Sequence, residues 1–332
     1  MRHITVLSGG SGGARLLPAL RHALASGSVP GLSPETTVTV VGNTADDLWV
    51  HGLKVCPDLD TMMYTLGHGV DADRGWGRDA ETWSARDELA AYGVEPSWFA
   101  LGDRDLATHL VRTEMLEAGY PLSAVTEALC RRWQPGVRLL PMTDDRVETH
   151  VVVADPDSPS GRRAVHLQEY RVRMAAQVPA EAVLFVGLDQ AQPGPGVLEA
   201  IAEADLVLLA ASDPVVSIGP VLGLPGVREA LAATAARVVG LSPLPGTDAA
   251  VPDLTRRLLD CVEVEASAAG VGLHLGARGR GGVLDAWLVD EQDADQLPRL
   301  AEAGLAARAV PLLPGSPEQV ARALTAAVEL AG

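Results

Sequence analysis

Ile4-Thr-Val-Leu-Ser-Gly-Gly-Ser-Gly-Gly-Ala-Arg15 decides the reading of this chain. A short apolar run over residues 4–8 reads as a buried strand, and 14–25 reads as a helix with Leu16, Leu17, Leu20 and Leu24 on one side. Between them, glycines let backbone N–H groups approach an anion, and the helix N-terminus adds partial positive charge. Gly9, Gly10, Ser11, Gly12 and Gly13 are therefore candidates for holding a phosphate. The competing reading is a tight turn that lets strand and helix pack closely. The segment matches neither phosphate-loop nor dinucleotide fingerprints in full, because Arg15 stands where a Lys-Ser/Thr pair is wanted. Pro18 conflicts with an uninterrupted helix.

A second strand, Val38 to Val41, runs into Gly42-Asn-Thr-Ala-Asp-Asp47. Asp46 and Asp47 follow that strand, Asp58 and Asp60 follow Cys56-Pro57, and His51 lies between the two sets. Hard divalent cations take oxygen ligands, and substrate phosphate completes their shell. One or two of these aspartates with a pyrophosphate would make a Mg2+ site able to stabilise phosphoryl transfer. Asp58 and Asp60 are equally good helix caps, and His51 is as well explained by packing.

Other candidates lie further on. Gly102-Asp-Arg-Asp105 precedes a helix carrying Thr108, His109 and Arg112. Asp103 or Asp105 can cap that helix, and Arg104 can fork onto a carboxylate or phosphate. Arg86 is a candidate substrate contact or a surface ion pair. Ser212-Asp213-Pro214 ends a strand, Val207–Ala211, at the sheet edge where such folds bind ligands. Ser212 is placed to donate to phosphate and Asp213 to accept from a base or sugar, against a plain turn before proline.

Apolar runs alternating with helical patterns predict a layered α/β fold with a mostly parallel sheet. Residues 58–135 read as largely helical, around Leu59–Tyr64, Thr82–Tyr92, Asp105–Ala118 and Leu122–Trp133. They are expected to form an insertion over the site, with 1–57 and 136–332 as the core. Phe185-Val186, Val207–Ala210, Val238–Leu241 and 283–289 read as further strands, and 316–330 as a terminal helix.

The 332 residues carry a formal net charge of -17, from 26 basic and 43 acidic residues. Without a basic run, such a chain repels a nucleic-acid backbone, although local N–H groups, arginines and a metal still admit a small anion. Three dispersed cysteines, no secretory leader and no long apolar run predict a reduced cytoplasmic protein with no membrane span.

Taken together, Ser8–Leu17, Asn43–Asp47, His51-Gly52, Pro57–Thr61, Leu101–His109, Ser212–Gly219 and Gly282–Val289 resemble the 2-phospho-L-lactate transferase family. The likeness is strongest to its actinobacterial, phosphoenolpyruvate-transferring branch and covers almost the whole chain. It implies a Rossmann-like core, Mg2+ dependence and a homodimer. The implied reaction moves a phospho-acid from a guanosine-diphospho-activated three-carbon acid to the ribityl hydroxyl of the deazaflavin Fo, releasing GMP and giving a dehydro coenzyme. By the same resemblance Asp47 and Asp60 hold metal, with Asp46 and Asp58 as substitutes. The glycine turn, 102–109 and 212–219 line the guanosine diphosphate. Two departures stand out. The family usually has asparagine where this chain has Asp213, and a glycine-lysine segment where Pro243–Ala249 has no lysine. The competing classes are a non-catalytic sugar-nucleotide-binding regulator, and a lactyl or phosphoglyceryl rather than enolpyruvyl donor. An NAD-dependent oxidoreductase fits poorly, because Asp46-Asp47 is a pair in a turn rather than a lone ribose ligand.

Overall fold

The structure is a computed structural model; it describes residues 1–244, 246, 251–312 and 317–331. The main sheet contains β1 (His3–Ser8), β2 (Thr37–Gly42), β5 (Arg138–Pro141), β9 (Leu206–Leu209), β10 (Arg237–Leu241), β11 (Ala286–Asp290) and β12 (Ala306–Val310). Its order is β12-β11-β10-β9-β1-β2-β5, and every neighbouring pair is parallel. Such strands are covered on both faces, which is why they read as unbroken apolar runs. Ile4 and Val6 enter one core cluster and Leu7 enters the other.

On the first face lie α1 (Gly10–Ser26), α2 (Pro57–Leu66), α5 (Leu122–Trp133) and the terminal helix Pro317–Ala331. Helix α1 continues through Pro18, flanked by buried Leu16, Leu17, Leu20 and Leu24. The apolar face on both sides of the proline outweighs one missing backbone hydrogen bond. Between α2 and α5 the chain forms α3 (Ser84–Ala91) and α4 (Asp105–Glu117). The other face of the sheet is covered partly by an antiparallel sheet of β6 (Glu148–Ala154), β7 (Arg162–His166) and β8 (Ala180–Val186), in the order β7-β6-β8.

Phe185-Val186, expected as a core strand, belongs to that second sheet, and Leu184 and Val186 are exposed. A short apolar run does not say which sheet it joins. The hairpin of β3 (Leu48–Val50) and β4 (Leu53–Val55) and the edge strand β12 carried no signal that separated them from loop. The Pro243–Ala249 stretch falls partly at 245 and 247–249, outside the described residues. Among the described residues no single helix is long and apolar enough to cross a membrane.

Strand order reverses at β1, which lies between β2 and β9. Chains leaving the C-terminal ends of β1 and β9 turn to opposite faces there, opening the crevice that such sheets use for ligands. The glycine turn fits the crevice only because it lacks side chains. Gly10 has φ +61, and a Cβ on Gly13 would collide with Ser8 Oγ and Ser212 Oγ. Gly13→Ala is expected to lower stability by about 1–3 kcal/mol, the usual cost of overpacking, read from its urea unfolding midpoint.

Candidate functional site

The crevice is assembled from three strand ends. After β9, Ser212 Oγ donates to Gly9 O at 2.8 Å and accepts from Gly9 N at 3.1 Å, tying the two turns together. After β2, Asn43 Oδ1 accepts from Ala45 N at 3.0 Å. Its amide donates to Asp58 Oδ2 at 3.0 Å and to Val216 O at 3.3 Å. Asp213 is engaged locally: Oδ1 accepts from Val215 N at 2.9 Å and Val216 N at 3.1 Å, capping the turn Pro214–Ile218. Thr255 donates to its other oxygen at 3.2 Å. The turn reading therefore accounts for Asp213, whose proton affinity burial raises against those N–H bonds.

Four aspartates lie beneath this assembly, with Asp46, Asp47, Asp58 and Asp60 at 4, 1, 3 and 4 % exposure. Burial raises the pKa of each, most strongly for Asp46. Two have cations beside them. Lys54 Nζ on β4 lies 3.2 Å from Asp47 Oδ2. Arg112 on α4 pairs with Asp60 Oδ1 and donates to Lys54 O at 3.3 Å. Arg112 is buried and Lys54 partly so, and although burial opposes their charge, Asp47 and Asp60 hold them protonated.

Helix α4 carries the rest of the network. Arg112 Nη1 donates to His109 Nδ1 at 3.1 Å, which leaves the imidazole proton on Nε2, 3.3 Å from Asp105 Oδ2. Tyr64 on α2 donates to Asp105 Oδ1 at 2.6 Å. Burial raises the Asp105 pKa, but the nearby His109 imidazole and the Tyr64 bond win and hold it low. Behind Asp47, Gln168 N donates to His166 Nδ1 at 3.1 Å, so His166 Nε2 is the donor to Asp47 O, also at 3.1 Å.

A cleft of about 340 Å³ opens above these groups. Gly10, Ser11, Asp58, Asp60, Asp105 and His109 form its polar floor; Trp76, Trp98 and Phe99 stand on one wall, and Gln168 and Arg171 on another. Of the residues singled out from sequence, Gly10, Ser11, Asp58, Asp60, Asp105 and His109 reach the cleft. Asp46, Asp47, Asn43, Gly9, Gly12, Gly13, Ser212 and Asp213 are not among its lining residues. His51, in the β3–β4 turn, and Arg86 line a separate groove of about 30 Å³. Arg86 pairs with neighbouring Asp87 at 2.7 Å. Gly102 and Arg104 approach Glu81 and Asp79, and Thr108 is buried on α4.

Lys54, Tyr64, Gln168 and Arg171 were not singled out as site residues. Arg112 shares the helix face of His109 at i+3, a signal that was present but unused. Lys54 reaches Asp47 only across a hairpin, and residues 168–171 carry no motif.

Among the described residues, no three His, Cys, Asp or Glu side chains form a ready-made metal cage. Asp46 Oδ1, Asp47 Oδ1 and Asp60 Oδ2 are buried yet make no hydrogen bond, and Asp47 Oδ2 has only its ion pair with Lys54. Unpaired buried carboxylate oxygens are costly and call for a cation. Mg2+ commonly takes one or two carboxylates and completes its shell with phosphate and water, so the donor set fits it.

Arg112→Met removes the buried partner of Asp60 and is expected to cost about 3–5 kcal/mol. The double variant Arg112→Met with Asp60→Asn should recover most of that loss in urea unfolding. Asp103 has a different role: it accepts from Thr82 Oγ1 at 2.6 Å, Ser84 N at 2.9 Å and Ala85 N at 2.9 Å, fastening the start of α3. These bonds hold its pKa at about 2, below the usual carboxylate value. A depressed folded-state pKa means the contribution is full above the unfolded value and disappears as pH falls through about 2. Asp103→Asn should therefore speed hydrogen exchange in α3 at neutral pH, with the difference from wild type narrowing below about pH 4.

Residues 4–311 match the family model described as 2-phospho-L-lactate transferase CofD. The phosphoenolpyruvate transferase of Streptomyces coelicolor is 56% identical over 331 residues, covering 98% of each chain. That of Mycolicibacterium smegmatis is 54% identical over 329 residues, covering 99% of this chain and 98% of the relative. That of Thermobifida fusca is 56% identical, covering 99% and 97%. Among solved structures, a UPF0052 family protein from Bacillus halodurans superposes with a TM-score of 0.60 at 16% identity, covering 97% of this chain and 98% of that one, which is a likeness of fold. Its sequence and relatives place this chain in the 2-phospho-L-lactate transferase CofD family.

Proposed function

We propose that the chain transfers a phosphoenolpyruvyl group from a guanosine-diphospho-activated enolpyruvate to the ribityl hydroxyl of Fo, a step in making coenzyme F420, with Mg2+ and release of GMP. The observation that carries this reading is a cleft whose floor joins the N-terminus of α1 to Asp58 and Asp60, with Asp60 Oδ2 buried and without a hydrogen bond. Full-length relatives more than half identical are named for phosphoenolpyruvate transfer.

In this reading the donor diphosphate lies against Gly10, Ser11 and the N-terminus of α1, where backbone N–H groups face the anion. Asp47 and Asp60 would hold Mg2+, which supplies charge neutralisation for the transferring phosphoryl group and its leaving phosphate. Lys54 and Arg112 keep those two carboxylates ionised and fixed in direction. The apolar wall of Trp76, Trp98 and Phe99 suits a flat heteroaromatic acceptor, and brings its ribityl chain towards the polar floor.

The hydroxyl oxygen forms a bond to the phosphorus that carries the acid. The bond from that phosphorus to the bridging oxygen breaks, and GMP leaves with the electron pair. The hydroxyl proton passes to Asp58, the floor carboxylate left free of the metal, whose proton affinity burial raises. Holding the two substrates in line supplies much of the rate, because phosphoryl transfer asks mainly for position and charge neutralisation. His109, fixed by Arg112 and Asp105, orients the floor without leaving it.

The test combines purified protein, Fo, Mg2+ and each guanosine-diphospho acid, following GMP and the deazaflavin product by mass spectrometry. Product from the enolpyruvyl donor, abolished by EDTA, is the expected result. Product from the lactyl donor alone would reassign the donor, and nucleotide binding with no product from any donor would sink the transferase reading. Asp60→Asn is expected to lower kcat by roughly a hundredfold or more with the protein still folded.

A further inference from the structure

The segment following β7 bears on the donor side of the cleft and none of its residues has been given a role. It forms one π turn, Glu169–Arg173, closed by Met174 N donating to Glu169 O at 3.0 Å. Such turns are uncommon and concentrate at functional sites. Tyr170 is fully buried and its hydroxyl donates to Val178 O at 2.6 Å, which pins the turn to the core. Ala175 and Ala176, just beyond it, both have positive φ, 49° and 50°, a conformation non-glycine residues adopt only when the surroundings impose it. The turn faces Arg171 and Val172 into the cleft.

Arg171 is the only arginine or lysine lining that cleft among the described residues. Its surroundings are acidic, yet it makes no ion pair or hydrogen bond among them. Its neighbours behave differently: Arg173 and Arg163 lie 3.1 and 3.9 Å from Glu169. The other cations of the site are committed, Lys54 to Asp47 and Arg112 to Asp60. The field of Arg171 falls on Asp46, Asp58 and Asp213, and Asp58 lies directly against Gly9 of the glycine turn. Asp60, across the floor, is served by Arg112 and His109 instead.

Arg171 is exposed, and its unpaired guanidinium lines the same cleft as Gly10 and Ser11 of the glycine turn, where its planar fork matches a phosphate. We infer that Arg171 grips the terminal phosphate of the nucleoside diphosphate donor, across the cleft from the N-terminus of α1. The inference rests on the donor site described above and adds the residue that selects a diphosphate over a monophosphate. A monophosphate product loses this contact, so the same residue favours product release.

The experiment measures GDP and GMP affinity by calorimetry, without metal, for wild type, Arg171→Gln, Arg171→Lys and the control Arg173→Gln. Donor and Fo kinetics are measured in parallel. Expected is a preference for GDP over GMP in wild type and in Arg173→Gln. It should fall roughly ten- to a hundredfold in Arg171→Gln and recover in part in Arg171→Lys. The donor KM should rise while the Fo KM and the melting temperature hold. An undiminished GDP preference in Arg171→Gln, or none in wild type, overturns the assignment. A loss seen only with the complete donor would move the grip to its carboxylate and overturn the phosphate assignment. Wild type that prefers GDP through Arg171 but makes no product would refute the transfer reading while leaving the grip intact.

Discussion

Burying carboxylates without enough cations to neutralise them is the constraint around which this fold is arranged. Asp46, Asp47, Asp58 and Asp60 sit at the ends of β2 and the start of α2, almost wholly out of water. Isolated charges there would be prohibitive, so the chain brings Lys54 from β4 and Arg112 from α4 into contact with two of them. Asn43 reaches a third, Asp58, with a neutral donor. What remains is a set of carboxylate oxygens without hydrogen bonds, a donor set that suits a hard cation. The imbalance costs stability, and a bound cation would relieve it.

The helical block is better understood through this constraint than through its helices alone. Helix α2 contributes Asp58, Asp60 and Tyr64, and α4 contributes Asp105, His109 and Arg112. Their hydrogen bonds cross from one helix to the other. Yet α2 and α5 also bury Leu59, Met62, Met63, Leu122, Val125 and Trp133 in the core cluster that supports β1 and β2. Functional side chains and core side chains share the same short helices, so the geometry of the floor is fixed by the packing beneath it.

Much of this was legible in the sequence because it is local. The strand–glycine–helix opening, the strand before Asp46-Asp47 and the Leu122–Trp133 helix each announce themselves within a dozen residues. Asp213 reads from sequence as either a turn cap or a ligand, since both use the same residue type and position, and its bonds from Val215 N and Val216 N show the cap. Asp103 is expected to cap the helix it precedes, but it accepts instead from Ser84 N and Ala85 N at the start of α3, a crossing that leaves no spacing pattern. The Lys54–Asp47 contact, the His166 donation to Asp47 O and the placement of Arg171 depend on chain crossings that leave no spacing pattern. The second sheet escaped for a similar reason: Phe185-Val186 has the composition of a core strand, and only its partner β6 reveals where it goes.

Asn43 touches Asp58, Ala45 N and Val216 O, so one side chain joins three stretches of chain that are remote in sequence. A floor stitched this way has little freedom to remodel. The half-exposed Trp76 on the facing wall belongs to a stretch with few buried residues. The two sides of the cleft are thus unequally constrained. A substitution on the wall disturbs few other contacts, whereas one in the floor is felt in three stretches of chain at once, so the cleft can be reshaped from the rim more readily than from below.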